Sequence, residues 1–144
     1  MNISIGSDHA GFEQKELLKA YLADLGHTVE DRGCPSEERC DYPDYARDVA
    51  YDVAEGRAER GVLVCGTGIG MAMAADKVPG IRAANIITPE FAALCREHND
   101  ANLITLSGRF VDVDTNKEIL DVFLATPFGE GRHTGRVQKI MDLD

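Results

Sequence analysis

The first residues, Asn2-Ile3-Ser4-Ile5-Gly6, alternate polar and apolar positions before a glycine, the pattern of a short strand. From Phe12 to Asp24 the apolar positions Phe12, Leu17, Leu18, Tyr21, Leu22 and the following Leu25 recur at helical spacing, and Gly26 closes the run as a C-cap. His27 to Asp31 reads as a second short strand, and Arg32 to Pro43 as a long loop. A helix is predicted from about Asp44, with Tyr45, Val49 and Val53 on one face and Gly56 ending it. Gly61-Val62-Leu63-Val64-Cys65 is a continuous, β-branched apolar run, as in a fully buried strand. It breaks into Gly66-Thr67-Gly68-Ile69-Gly70 and resumes as an Ala/Met-rich helix reaching Asp76. After the turn Val78-Pro79-Gly80, Ile81 to Ile87 is apolar enough for a fourth strand. Thr88 and Pro89 read as the N-cap and first position of a helix through Glu97 that ends in His98-Asn99-Asp100. Asn102 to Leu106 is the fifth strand, Asp112 to Leu124 a helix, and about Gly131 to Met141 a last helix.

The order is βαβαβαβαβαα. Strict alternation predicts a three-layer α/β/α sandwich: a five-stranded parallel, Rossmann-like sheet with helices on both faces, in one domain spanning 1–144. The last helix, about 131–141, is available to pack on a partner subunit. Ligands of such sheets bind beyond the carboxyl ends of the strands. Three polar segments follow strand ends: Ser7-Asp8-His9, Cys65-Gly66-Thr67 and Ser107-Gly108-Arg109. His98-Asn99 closes a helix instead, at the opposite edge, so a neighbouring copy has to provide it if it serves the same site.

The formal net charge of −10 disfavours nucleic acid and anionic membranes as partners, and an anionic small molecule would need a local cluster of arginines. No apolar run approaches the roughly 20 residues of a membrane span, and the N-terminus resembles no export signal, so the chain is expected in the cytoplasm. There the four cysteines, Cys34, Cys40, Cys65 and Cys95, are expected as free thiols. Cys34 and Cys40 fit no zinc spacing.

The glycine stretch carries the chemistry. A strand feeding a helix through such a turn presents unpaired N–H groups at a positive helix end, a place for a phosphate or a reaction oxyanion. A thiol at that position, as Cys65 is, suits a base or nucleophile. The dinucleotide fingerprint G-x-G-x-x-G fails because position 71 is Met, and a P-loop fails for want of a lysine between Cys65 and Asp76. The same turn can also serve only to pack a helix on its sheet. Arg132 and Arg136, four apart on one helix face, could join Arg109 as a phosphate-binding set, or form a solvated face. Asp8 could accept from a sugar hydroxyl and His9 donate to a substrate oxygen, or Asp8 could simply cap the first helix. His98 is either an acid/base group or a cation favoured by the helix dipole.

Gly6-Ser7-Asp8-His9-Ala10-Gly11-Phe12 resembles the opening loop of the type B ribose-5-phosphate isomerases. Asp41-Tyr42-Pro43-Asp44-Tyr45-Ala46, Cys65-Gly66-Thr67-Gly68-Ile69-Gly70, Arg96-Glu97-His98-Asn99-Asp100-Ala101-Asn102 and Gly131-Arg132-His133 extend the likeness along nearly the whole chain. That family also holds galactose-6-phosphate isomerase subunits and related enzymes. The resemblance implies an aldose–ketose isomerase that needs neither metal nor nucleotide cofactor. Cys65 would move a proton between C1 and C2, helped by Thr67, and the amides from Gly66 through Gly68 and Ile69 to Gly70 would stabilise the enediolate. Asp8 and His98 would open the furanose ring, Tyr42, His9 and Asn99 would line the sugar, and Arg109, Arg132 and Arg136 would bind the phosphate. It also implies a homodimer or tetramer with shared sites, His98, Asn99 and Arg109 coming from the partner chain. Ile86-Ile87-Thr88-Pro89-Glu90 and Gly135 depart from common members and bear on which sugar fits. The reading is ribose 5-phosphate to ribulose 5-phosphate isomerisation. Its rivals are an isomerase of galactose 6-phosphate, allose 6-phosphate or a tetrose phosphate, a nucleotide-binding regulatory domain, and an inactive subunit of a hetero-oligomer.

Overall fold

The computed structural model describes residues 1–144. Its elements run β1 (Asn2–Ser7), α1 (Phe12–Asp24), β2 (Thr28–Asp31), α2 (Tyr42–Ala54), β3 (Arg60–Cys65), α3 (Ile69–Ala75), β4 (Ala83–Asn85), α4 (Pro89–Asn99), β5 (Leu103–Ser107), α5 (Val113–Ala125) and α6 (Arg132–Met141). The alternating order is the one read from the sequence, and all strand pairs are parallel. The strand order is β2-β1-β3-β5-β4. On one face, Ile3, Ile5, Val62, Val64, Ile104 and Leu106 pack with Leu18 and Leu22 of α1, Ala92 and Cys95 of α4, and Ile119, Leu120 and Phe123 of α5. On the other, Leu63, Cys65 and Leu103 pack with Ala46, Val49 and Ala50 of α2 and Met71 and Ala75 of α3. These are the three layers expected, with strand side chains alternating between two cores.

The helix boundaries follow local chemistry. Gly26 takes φ +92°, and the N–H groups of Gly26 and His27 return to the carbonyls of Ala23 and Leu22, which is the Schellman closure of α1. Helix α2 starts at Tyr42, two residues before the predicted Asp44, because Pro43 fits the first helical turn, where no N–H is needed. Thr88 caps α4 as expected, its Oγ1 accepting from Phe91 N at 3.3 Å. The fourth strand is much shorter than Ile81–Ile87. Ile81 N–H donates to Val78 O within the preceding turn and Arg82 N–H to the Asn102 side chain, so neither N–H joins the sheet and the strand runs only from Ala83 to Asn85.

Asp52 of α2 ties the sheet edge together. Its buried carboxylate accepts from Ser4 Oγ at 2.7 Å, Arg32 Nε at 2.6 Å and Arg57 Nε at 2.9 Å. Burial pushes this carboxyl up, but hydrogen bonds from Arg32, Ser4 and Arg57 outweigh it and hold the group below its ordinary range. A carboxyl lowered on folding stabilises the protein fully above its unfolded value of about 3.9 and loses that contribution as pH falls through the folded value. Asp52→Asn is expected to lower stability by about 2–3 kcal/mol at neutral pH, the loss of charge-assisted bonds whose arginines still reach water. Urea unfolding across pH checks this: the two proteins should converge in acid.

Topology places the site. The chain leaves β1 toward β2, then crosses back to β3 on the other side of β1. The helices after β1 and β3 therefore diverge to opposite faces and leave a crevice at the carboxyl ends of those two strands. With β5 beside β3, the segments after β1, β3 and β5 meet at one edge. No helix is long and apolar enough to cross a membrane.

Candidate active site

Cys65 is the last residue of β3, and its residue surface is 6% exposed. The chain then turns through Gly68, whose φ of +86° suits glycine and where a Cβ would lie 2.4 Å from Asn85 Oδ1. This turn aims the Gly68 N–H at Cys65 Sγ, 3.0 Å away, so the sulfur already accepts a backbone hydrogen bond. Ile69 N–H is taken by Thr67 Oγ1 at 3.1 Å. The expectation that every amide from Gly66 to Gly70 serves an oxyanion is thereby narrowed. Gly68 and Ile69 are engaged within the loop, whereas the N–H groups of Gly66, Thr67 and Gly70 have no protein acceptor. The Thr67 hydroxyl accepts through its oxygen and keeps its own hydrogen to donate.

The neighbouring loops close on this turn. Gly108 N–H donates to Cys65 O at 2.8 Å and Arg109 N–H to Gly66 O at 3.2 Å. The Arg109 side chain lies over Gly66, where a Cβ would sit 3.4 Å from its Nη1. The sequence reading expected Arg109 from a partner chain; within this chain it already stands beside the Cys65 turn, because β5 lies next to β3. The Tyr42 ring covers Gly70, where a Cβ would lie 2.7 Å from its Cζ. Asp8 is buried, with its N–H on Val64 O, and its Oδ1 accepts from Gly11 N at 3.0 Å. It thus secures the turn before α1 while its other oxygen stays available. His9 Nδ1 accepts from Cys40 N at 3.4 Å, which leaves Nε2 to carry the hydrogen and act as a donor.

His98 and Asn99 end α4 at the amino edge of the sheet, one strand length from Cys65, about 17 Å for a five-residue strand. Arg132 and Arg136 belong with them. The His133 ring stacks on His98 at 4.4 Å between centroids, and His98, Arg132 and His133 line a polar cleft of about 440 Å³ with Glu97 and Glu130. Desolvation, then the neighbouring His98, Arg132 and Arg136, lower the pKa of His133. Within one chain the anticipated residues therefore form two half-sites. Cys65, Thr67, Gly66, Gly68, Ile69, Gly70, Asp8, His9, Tyr42 and Arg109 lie at one edge; His98, Asn99, Arg132 and Arg136 lie at the other.

The other cysteines are free thiols as expected. Burial pushes the Cys95 thiol up to about 11, which makes it a packing residue. No group of three His, Cys, Asp or Glu side chains is gathered where it could hold a metal ion. Sequence reasoning missed Asn85, which backs Gly68, and the amides Gln14 and Asn116 behind the Arg109 loop. Asn116 had a signal: it falls three and four residues before Ile119 and Leu120, on the apolar stripe of α5, where an amide calls for a partner.

Residues 3–140 match the family model described as Ribose/Galactose Isomerase. Ribose-5-phosphate isomerase B of Escherichia coli (strain K12) is 42% identical over 142 residues, covering 99% of this chain and 95% of that protein. The crystal structure of a ribose 5-phosphate isomerase from Thermotoga maritima superposes with a TM-score of 0.96 at 48% identity, over 98% of this chain and 97% of that one. Ribose-5-phosphate isomerase B from Mycoplasma genitalium, solved with bound ribulose-5-phosphate, gives 0.95 at 41% identity, over 99% and 95%. With its five-stranded parallel sheet and this agreement along its length, the chain belongs to the ribose/galactose isomerase family.

Proposed function

We propose that the chain is a single aldose–ketose isomerase domain that interconverts ribose 5-phosphate and ribulose 5-phosphate through an enediolate. The observation that carries this is the contact set around one turn: Cys65 Sγ held 3.0 Å from the Gly68 N–H, free amides on either side, and the Arg109 side chain against Gly66. A carbon-bound proton α to a carbonyl is weakly acidic, so its removal needs a base and stabilisation of the charge that moves to oxygen. Cys65 as thiolate takes the proton from C2 of the open-chain aldose, and the C–H electrons form the C1–C2 double bond as O1 becomes the oxyanion. The free N–H groups of Gly66, Thr67 and Gly70 face that charge. Return of the proton to C1, as the O2 proton passes to O1 and the O2–H electrons form the C2=O bond, gives the ketose. Arg109 binds the phosphate, and Tyr42 and His9 border the sugar.

The far half-site comes from a second copy. His98 and Asn99 reach the sugar, His98 and Asp8 open the ring, and Arg132 and Arg136 join Arg109 on the phosphate. Exposed Ile69, Met73 and Phe110, which are 50%, 66% and 79% exposed, supply apolar surface beside the Cys65 half-site for that copy to cover.

The direct test is turnover of ribose 5-phosphate by the purified chain without added metal, beside galactose 6-phosphate, allose 6-phosphate and a tetrose phosphate. The pentose phosphate should have the highest kcat/KM; no turnover of any, together with tight calorimetric binding of NAD or ATP, would move the chain to nucleotide binding. Arg109→Ala should raise KM for ribose 5-phosphate by about 10- to 100-fold, the worth of one charge-assisted contact, with far less effect on free ribose. Equal effects on both sugars would refute the phosphate role.

A further inference from the structure

The loop from Gly108 to Val111 joins β5 to the cap of α5 and carries Arg109, and behind it runs a chain of three polar side chains. Gln14 of α1 donates from Nε2 to the carbonyls of Gly108, at 3.2 Å, and Val111, at 2.7 Å. Asn116 of α5 donates from Nδ2 to Gln14 Oε1 at 2.7 Å and to Ser107 O at 3.0 Å. Ser107 Oγ donates to Gly66 O at 2.8 Å and accepts from Phe110 N at 3.0 Å.

We infer that Gln14 and Asn116 are positioning residues for the reaction, holding Arg109 against the Cys65 turn; this rests on the isomerase reading above. Three features favour it over plain packing. First, the orientation of each amide is fixed. Gly108 O, Val111 O and Ser107 O are acceptors only, so the NH2 group of each amide has to face the loop, and Gln14 Oε1 has to face Asn116. Second, Asn116 is fully buried on the apolar side of α5, and its Oδ1 has no partner. A leucine would serve the core there better, because it leaves no orphaned carbonyl. Third, the chain of bonds ends on the site. It fixes both ends of the loop bearing Arg109, and through Ser107 it reaches the carbonyl of Gly66, the residue whose N–H is free for the enediolate. The register between phosphate holder and base is thus set by α1 and α5, from opposite ends of the sequence.

Gln14→Met and Asn116→Leu replace the amides by apolar side chains of similar shape and remove these donors. Gln14 is half-buried, so its variant folds even where the core substitution does not. The expected result for Gln14→Met is a rise of about tenfold or more in KM for ribose 5-phosphate and in the competitive Ki of inorganic phosphate, as misplacement of a binding group produces. Turnover at saturation should change far less, and free ribose should be almost unaffected. A changed melting temperature with KM and phosphate Ki unchanged would overturn positioning and leave a structural role. Wild-type chain inactive on sugar phosphates would instead overturn the isomerase reading, and the positioning role with it.

Discussion

Mixed dimers carrying Cys65→Ala in one chain and Arg132→Ala/Arg136→Ala in the other are expected to regain activity that neither parent shows. The two half-sites lie at opposite edges of one sheet, about 17 Å apart along a strand, which exceeds the reach of a pentose phosphate. On the function proposed above, a working site takes Cys65, Thr67, Tyr42 and Arg109 from one chain and His98, Asn99, Arg132 and Arg136 from another. In a mixed dimer one site receives both defects and the other receives none, so about half of the wild-type turnover per dimer should return. Arg132 and Arg136 are exposed on α6, so their removal should leave each chain folded. Co-expression with two different affinity tags isolates the mixed species. If each site were built within one chain, the mixed dimers would stay as inactive as their parents.

The second large effect concerns the sulfur. Cys65→Ala is expected to lower kcat by about 10²–10⁴, the usual contribution of a positioned proton-transfer group. The fold should survive, since alanine keeps the Cβ that packs against α2 and α3 and loses only one atom. An unchanged melting temperature, to within the small effect of that cavity, would separate lost chemistry from lost structure.

Much of this was legible in the sequence because it is local. The apolar run into Cys65, the break at Gly66 to Gly70 and the Thr88-Pro89 cap are each set by neighbours in the chain. So was the separation of His98 from the strand ends, since a helix between parallel strands must end at their amino edge. The place of Arg109 after the fifth strand, at the carboxyl edge, was legible too, but its adjacency to Cys65 was not. With strands laid out in chain order, β4 would stand between β3 and β5, and Arg109 would lie about 10 Å to the side of Cys65. The actual order, β2-β1-β3-β5-β4, makes β5 the neighbour of β3 and brings Arg109 over Gly66 in the same chain. Likewise, the apolar run Ile81 to Ile87 reads as a strand because burial and pairing favour the same residues. Val78 and Ile81 are buried in the core from a turn instead. Gln14 and Asn116 lie 102 residues apart, and only the folded arrangement makes them partners.

The most direct measurement is solvent exchange during isomerisation of ribulose 5-phosphate in D2O, followed by NMR for deuterium at C2 of the ribose 5-phosphate formed. Wild-type chain should incorporate deuterium as Cys65 shares its proton with solvent, and folded Cys65→Ala should incorporate almost none. Incorporation by Cys65→Ala at the wild-type rate would show that another group moves the proton.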